Sequence, residues 1–189
     1  MEENDLYAVL KLQFKEIIKD ISLEKNGYYP IVPAKTFYYL EYILWEIYYD
    51  YVRGEDKVVR PEVISPILTK IDRVKGSFSS FYFRQLSSKE HLLSQNKIST
   101  IKVDENLSFD KQKKEREKIL HCFGNLCLIS SSENSSANKE HPEYKKESFY
   151  NNTSLKRLIM FETFSGNDWN TQEIKQHQEE MRVLLEFYK

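Results

Sequence analysis

The sequence predicts a mainly α fold with a small β-hairpin. The chain of 189 residues contains only 5 Gly and 5 Pro, so long regular elements are favoured over turns and loops. Apolar residues recur at helical spacing along most of the chain, whereas residues 126–129 and the stretch that ends at His91 are predicted to be extended strands. An aromatic fraction of 14% excludes a disordered chain.

The predicted helices follow one another with clear end signals. They cover residues 5–24, 34–52, 61–74, 109–122, 134–150, 154–164 and the tail from Asn170 onward. Gly54 and Gly124 mark the ends of two helices. Pro66 predicts a kink or break inside residues 61–74. Asn170 and Glu173 have the spacing of a capping box, which predicts where the last helix begins.

Two stretches between the helices lack helical spacing. Residues 78–84 are rich in aromatic side chains, which favours an extended strand or loop. Residues 96–107 are predicted to be irregular.

The charge pattern excludes a globally basic protein. The formal net charge is −1, so any contact with nucleic acid must come from local basic clusters. One such cluster lies at residues 111–118, where Lys and Arg alternate with Glu. This pattern is typical of a solvated helix face, and contact with phosphates is the functional alternative.

The two cysteines predict neither a zinc site nor a disulfide framework. Cys122 and Cys127 are five residues apart, and a structural zinc site needs four ligands, commonly in close pairs. We expect both to be reduced packing residues. No apolar run approaches the ~20 residues that span a bilayer, and the acidic N-terminus is unlike a signal peptide. A cytoplasmic protein without membrane contact is therefore expected.

Three stretches carry the chemistry of the sequence. They are S-K-E-H-L-L-S-Q at residues 88–95, G-N-L-C-L-I at residues 124–129 and S-E-N-S-S-A-N-K at residues 132–139. In order and spacing they resemble the HNH, or ββα-metal (His-Me finger), nuclease motif. The nearest resemblance is to the domain that ends GmrSD-type, modification-dependent restriction endonucleases, which extends over most of the chain from about Ala34. The fold implied is a helical domain that embeds this motif within residues 88–146.

The resemblance implies a role for each motif residue. It assigns Glu90 and Asn134 as ligands of one Mg²⁺ or Mn²⁺ and His91 as general base, because hard oxygen donors suit these ions and neutral imidazole accepts a proton near pH 7. Asn125 joins His91 in the catalytic set as the residue that braces the loop by hydrogen bonds. Ser94 departs from the family pattern, which has Pro there.

Other assignments within the motif stay open. Asn138 lies one helical turn after Asn134 and is an alternative metal ligand, and His141 is a further alternate. The residues expected to contact substrate phosphate are Lys139, Lys145 and Lys146.

The same resemblance divides the chain into three regions. Residues 1–76 form an N-terminal helical region that packs on the nuclease core. Residues 77–150 form the nuclease motif, and residues 151–189 form C-terminal helices that close the same domain.

These assignments predict a DNA endonuclease that acts in restriction, or defence against foreign DNA. The sequence contains no G-x-x-x-x-G-K-[ST] loop, so the NTPase or modification-sensing function that such enzymes use would come from another domain or subunit. Double-strand cleavage would need a homodimer or sequential nicks. RNA is a weaker substrate hypothesis.

Several residues also have simpler interpretations. The alternative function is a catalytically inactive module of a defence complex that binds nucleic acid or protein. Independently of that function, Asn125 is interpreted alternatively as a turn residue and Asn134 as a helix cap. His121 is interpreted as a helix-end histidine and His177 as solvent-facing. The Tyr-rich helix at residues 38–51 is expected to be core, with base stacking as the minority alternative.

Overall fold

The structure is a computed structural model that describes residues 32–54, 61–131, 133, 142–150, 154–164 and 169–188. Its helices surround one two-stranded antiparallel sheet, which confirms the predicted mainly α fold with a small hairpin. Several predictions lie outside the described residues, namely the helix at 5–24 and the candidate site residues Asn134, Asn138, Lys139 and His141.

The elements follow the predicted order closely. The helices are α1 Ala34–Ile47, α2 Ser65–Arg73, α3 Lys75–Ser79, α4 Phe109–Leu120, α5 Pro142–Phe149, α6 Leu155–Thr163 and α7 Thr171–Phe187. The strands are β1 Ser88–His91 and β2 Leu126–Ile129. A π-helical turn, Tyr48–Arg53, extends α1, and short 3₁₀ turns occupy Glu62–Ile64, Gln95–Thr100 and Phe123–Asn125.

The predicted break at Pro66 falls at the beginning of a helix. Pro66 lies in the first turn of α2, where its missing N–H removes no helical hydrogen bond. The 3₁₀ turn Glu62–Ile64 precedes it and forms a separate element. The prediction of a strand or loop for residues 78–84 is only partly correct. Phe78 belongs to helix α3, and its ring is buried in the core. Residues 81–87 then have no regular structure, as expected.

Strand β2 separates two clusters of buried apolar side chains. Leu126 and Leu128 point into a cluster formed mainly with α1, α2 and α6, whereas Cys127 and Ile129 point into a second cluster around Trp169. Successive side chains of a strand alternate between its faces, so a strand buried on both faces must be apolar throughout. This explains why all four residues of β2 are buried.

A buried ion joins β2 to α6. Lys156 is fully buried, and its ammonium donates hydrogen bonds to the backbone oxygens of Phe123 and Leu126. Burial lowers the pKa of Lys156 to about 8.

A buried carboxyl group joins α1 to α6. Glu41 of α1 accepts hydrogen bonds from the backbone N–H groups of Leu155 and Lys156, which open helix α6. Burial raises the pKa of Glu41 to about 7, against the lowering effect of these two bonds. Neither Glu41 nor Lys156 was recognised as an internal residue from the sequence.

Helix α7 confirms the predicted capping box and corrects one histidine. The Asn170 side chain accepts from the backbone of Glu173 at 3.3 Å, while the Glu173 carboxylate accepts from the Asn170 backbone at 2.9 Å. The prediction that His177 faces solvent is wrong, since this residue is fully buried. It shares the inward face of α7 with Ile174 and Met181, and its ring centroid lies 6.0 Å from that of Trp169.

The cysteines and the helix lengths bear on two further expectations. Cys122 and Cys127 are both buried and free, as predicted. Across the described ranges, no helix combines the length and apolar character required to cross a bilayer.

The burial of His177 predicts acid sensitivity. Burial lowers its pKa to about 3, so below about pH 6.5 the unfolded chain binds a proton that the folded chain does not. The free energy of unfolding attributable to this group therefore falls as the pH drops from about 6.5 toward 3, with a limiting slope of about 1.4 kcal/mol per pH unit.

Urea denaturation of the wild type and of a His177→Phe variant from pH 7 to pH 4 measures this contribution. The stability of the variant should decline less steeply than that of the wild type below about pH 6.5. Parallel pH profiles would contradict the assignment.

Candidate active site

The adjacent residues Glu90 and His91 end strand β1 and point in opposite directions. Glu90 pairs with Cys127 and His91 with Leu126 across the antiparallel hairpin. Their side chains alternate between the two faces of the strand, as expected for consecutive residues. Glu90 contacts a lysine of α5, and His91 contacts a histidine at the end of α4. Both residues are buried.

The Glu90 carboxylate forms a buried ion pair with Lys145. Lys145 Nζ lies 2.5 Å from Glu90 Oε1 and 2.6 Å from the backbone oxygen of His91. The Lys145 side chain is only 1% exposed, so water screens this pair weakly. The structure thus places Lys145 at the site, but directs its charge to a protein carboxylate.

Lys146 is directed elsewhere. Its ammonium donates to the backbone oxygen of Phe161 at 2.7 Å and lies 5.7 Å from the ring centroid of Phe164. Lys146 is therefore held against α6 and its C-terminal end, and is not part of the Glu90–Lys145 pair.

The imidazole of His91 is paired with that of His121. His91 Nε2 lies 2.9 Å from His121 Nδ1, and the rings meet edge to face with centroids 5.0 Å apart. The pKa of His91 is lowered to about 4, first by burial and then by the nearby His121 and Lys145. His91 is consequently neutral at pH 7, the form in which imidazole accepts a proton.

The Asn125 side chain forms hydrogen bonds with the backbone near both histidines, after His91 and before His121. Its Oδ1 accepts from the Leu93 backbone N–H at 2.8 Å and from Trp169 Nε1 at 3.0 Å. Its Nδ2 donates to the backbone oxygens of Leu93 and Leu120 at 3.2 and 2.8 Å. Asn125 is fully buried. The four bonds use both N–H donors and both lone pairs of its side-chain amide. The Asn125 side chain therefore braces the loop after β1 through hydrogen bonds.

Gly124 permits the close approach of α7 to this site. A Cβ at Gly124 would collide with the backbone oxygen of Ile174 and would lie 2.8 Å from Gln178 Cβ. The Gly124 N–H donates to Gln178 Oε1 at 2.5 Å. Any larger residue would push α7 away from the turn that carries Asn125. Gly124 was predicted only as a helix end, so this packing role was missed.

Glu133 is a further residue that sequence reasoning missed. Its Oε2 accepts from the backbone N–H and the hydroxyl of Ser130 at 2.9 and 2.8 Å, and its Oε1 lies 3.1 Å from Arg157 Nη1. These bonds fix the chain immediately before Asn134. The sequence signal was the short spacing of Ser130 and Glu133, which is typical of a helix-start motif.

The fit of a divalent metal ion depends here on one carboxylate. Glu90 is a hard oxygen donor of the kind that Mg²⁺ and Mn²⁺ prefer. Oε1 holds Lys145, and Oε2 has no hydrogen-bond partner within the described part of the chain, so Glu90 fits as a ligand through one oxygen. No cluster of three or more His, Cys, Asp or Glu residues suited to a metal occurs among the residues described. The second proposed ligand, Asn134, lies outside them.

The fold and the site define a class of protein, namely a helical domain in which the first strand of a β-hairpin ends in an adjacent carboxylate and neutral imidazole. The family model of GmrSD restriction endonucleases, C-terminal domain, matches residues 18–184. The chain belongs to this family, which indicates a nuclease-related role in restriction. Searches of curated proteins and of solved structures found no match.

Asn125→Ala should destabilise the folded chain. It removes the partners of two buried N–H groups, at Leu93 and Trp169, and each buried group left unpaired costs about 1–3 kcal/mol. We expect the free energy of unfolding to fall by about 2–6 kcal/mol in urea titrations. Asn96→Ala, at an exposed position of the neighbouring 3₁₀ turn, provides the control. Equal stability of the two variants would contradict the bracing role.

Proposed function

We propose that the chain is a metal-dependent endonuclease that hydrolyses DNA phosphodiester bonds in restriction of foreign DNA. The observation that carries this proposal is the neutral, buried His91 next to the Glu90 carboxylate at the end of β1. Membership of a restriction endonuclease family supports the same conclusion. The proposed cofactor is one Mg²⁺ or Mn²⁺.

His91 acts in this proposal as the general base. It takes a proton from the water molecule whose oxygen attacks the phosphorus atom, while the bond from phosphorus to the leaving oxygen breaks. A pKa of about 4 keeps His91 neutral but makes it a weak proton acceptor. An approaching phosphate anion favours the imidazolium form and so raises this pKa.

The other roles follow from the chemistry of each group. Glu90 and Asn134 would hold the metal ion, which supplies charge neutralisation at the phosphate and the leaving oxygen. Asn138 and His141 stay alternates for Asn134. Lys139, Lys145 and Lys146 are the proposed phosphate contacts, and Lys145 must leave Glu90 to make one.

The proposed partners go beyond DNA. An NTPase or modification-sensing domain or subunit would select the target, since the chain contains no phosphate-binding loop of the Walker type. Double-strand cleavage by one site per chain would need a homodimer or two successive nicks.

One observation favours a second candidate function. Lys145 neutralises Glu90 within a buried pair, which gives the carboxylate a cation without any metal. This arrangement suits a nucleic-acid- or protein-binding module that has kept the fold and lost turnover. The two candidates differ in whether the Glu90 carboxylate binds a divalent ion.

His91→Ala should lower the rate of plasmid cleavage in Mg²⁺ or Mn²⁺ by about 10²–10⁴-fold, because the proton acceptor is removed. Cleavage is measured by gel as the conversion of supercoiled plasmid, with circular dichroism to verify the fold. The control is again Asn96→Ala, which should cleave at the wild-type rate. Unchanged cleavage by His91→Ala would show that this residue is not the base.

Glu90→Gln should abolish divalent-ion binding, because it removes the charge of the proposed ligand while keeping a similar shape. Calorimetric titration with Mn²⁺ measures the binding in the wild type, in this variant and in the control Glu105→Gln, which alters an exposed glutamate. We expect binding by the wild type and the control. Absence of Mn²⁺ binding and of plasmid nicking in the wild type would favour the inactive module.

A further inference from the structure

We infer that His121 is a positioning residue for His91, which holds His91 Nε2 and thereby directs Nδ1 toward the attacking water. This inference rests on the proposed function, because it assigns a partner to the general base. It also assigns a role to a histidine that the sequence identified only as the end of a helix. His121 is the residue that follows α4.

The geometry admits one hydrogen atom between the two rings. The 2.9 Å separation of His91 Nε2 and His121 Nδ1 is that of a hydrogen bond, in which one nitrogen donates and the other accepts. A neutral imidazole has one N–H and one lone pair. The direction of this bond therefore decides which nitrogen of His91 carries its proton.

The two directions have different chemical consequences. If His121 donates, His91 Nε2 accepts and the His91 proton is on Nδ1, so the single lone pair of His91 is already used and the ring cannot act as a base. If His91 donates through Nε2–H, its Nδ1 holds the lone pair that can accept a proton from water. The proposed chemistry therefore requires the second direction.

The second direction also stabilises the product of proton transfer. When His91 Nδ1 gains a proton, the ring becomes imidazolium and Nε2–H continues to donate to His121 Nδ1. That bond then has a charged donor, and such bonds are shorter and stronger than neutral ones. His121 would thus stabilise the protonated base more than the neutral base, which is the condition for a catalytic effect.

Backbone contacts fix the positions of the two histidines relative to each other. The Asn125 side chain bonds the backbone of Leu93, two residues after His91, and of Leu120, one residue before His121. The backbone N–H of His121 also donates to the Glu117 oxygen at 3.0 Å. One buried amide therefore fixes the chain beside both histidines, so that their separation does not depend on the side chains alone.

Steady-state cleavage by the full chain tests the catalytic part of the inference. His121→Phe keeps an aromatic ring but removes the acceptor, and should lower kcat by about 10–100-fold with KM for the plasmid nearly unchanged. His121→Asn, whose side-chain oxygen can accept from His91 Nε2–H, should restore most of the loss. Wild-type kcat in His121→Phe, or equal losses in the Phe and Asn variants, would overturn the inference.

The tautomer of His91 provides a readout that does not need activity. Long-range ¹H–¹⁵N correlation spectra of ¹⁵N-histidine-labelled protein at pH 7 identify the protonated ring nitrogen, and the signals missing from His91→Asn assign that ring. We expect the Nε2–H tautomer in the wild type and a mixture of tautomers in His121→Phe. An Nδ1–H tautomer in the wild type would overturn the inference. Absence of wild-type cleavage would instead count against the proposed function, so the two failures are distinguishable.

Discussion

The four hydrogen bonds of the Asn125 amide are the constraint on which the site depends. They join the turn before β2 to the loop after β1, to the end of α4 and to Trp169 ahead of α7. These segments are distant in sequence, and no apolar contact could specify their spacing as closely as a directional bond in a buried place. The hairpin end that carries Glu90 and His91 has a defined position because the Asn125 amide forms hydrogen bonds with all the segments around it.

Buried titratable side chains extend the same principle into the packing around β2. Lys156 and Glu41 bind backbone groups at the 3₁₀ turn before β2 and at the first turn of α6. Removing a charge from water is costly, and it is tolerated where hydrogen bonds to the backbone compensate. Strand β2 is thus held by polar bonds at one end and by two apolar clusters on its faces.

Much of this could be predicted from local sequence. The helices, the Asn170–Glu173 capping box and the G-N-L strand could be predicted because each depends on residues that are close together in the sequence. The burial of His177 and the bond from Lys145 to Glu90 could not be predicted, since they depend on which helix faces meet after folding. Gly124 is an intermediate case: its position suggested a helix end, but the reason for its small size is a backbone oxygen in α7, fifty residues later.

The pairing of Lys145 with Glu90 has an electrostatic consequence at long range. A chain with a net charge of −1 has no overall attraction for a polyanion, and an isolated carboxylate at the hairpin end would repel an incoming backbone. The ammonium 2.5 Å away cancels that charge, so the hairpin end presents a dipole, whose field falls off with distance faster than that of an ion. The Glu90 carboxylate therefore repels a distant polyanion only weakly, and its charge acts mainly at short range.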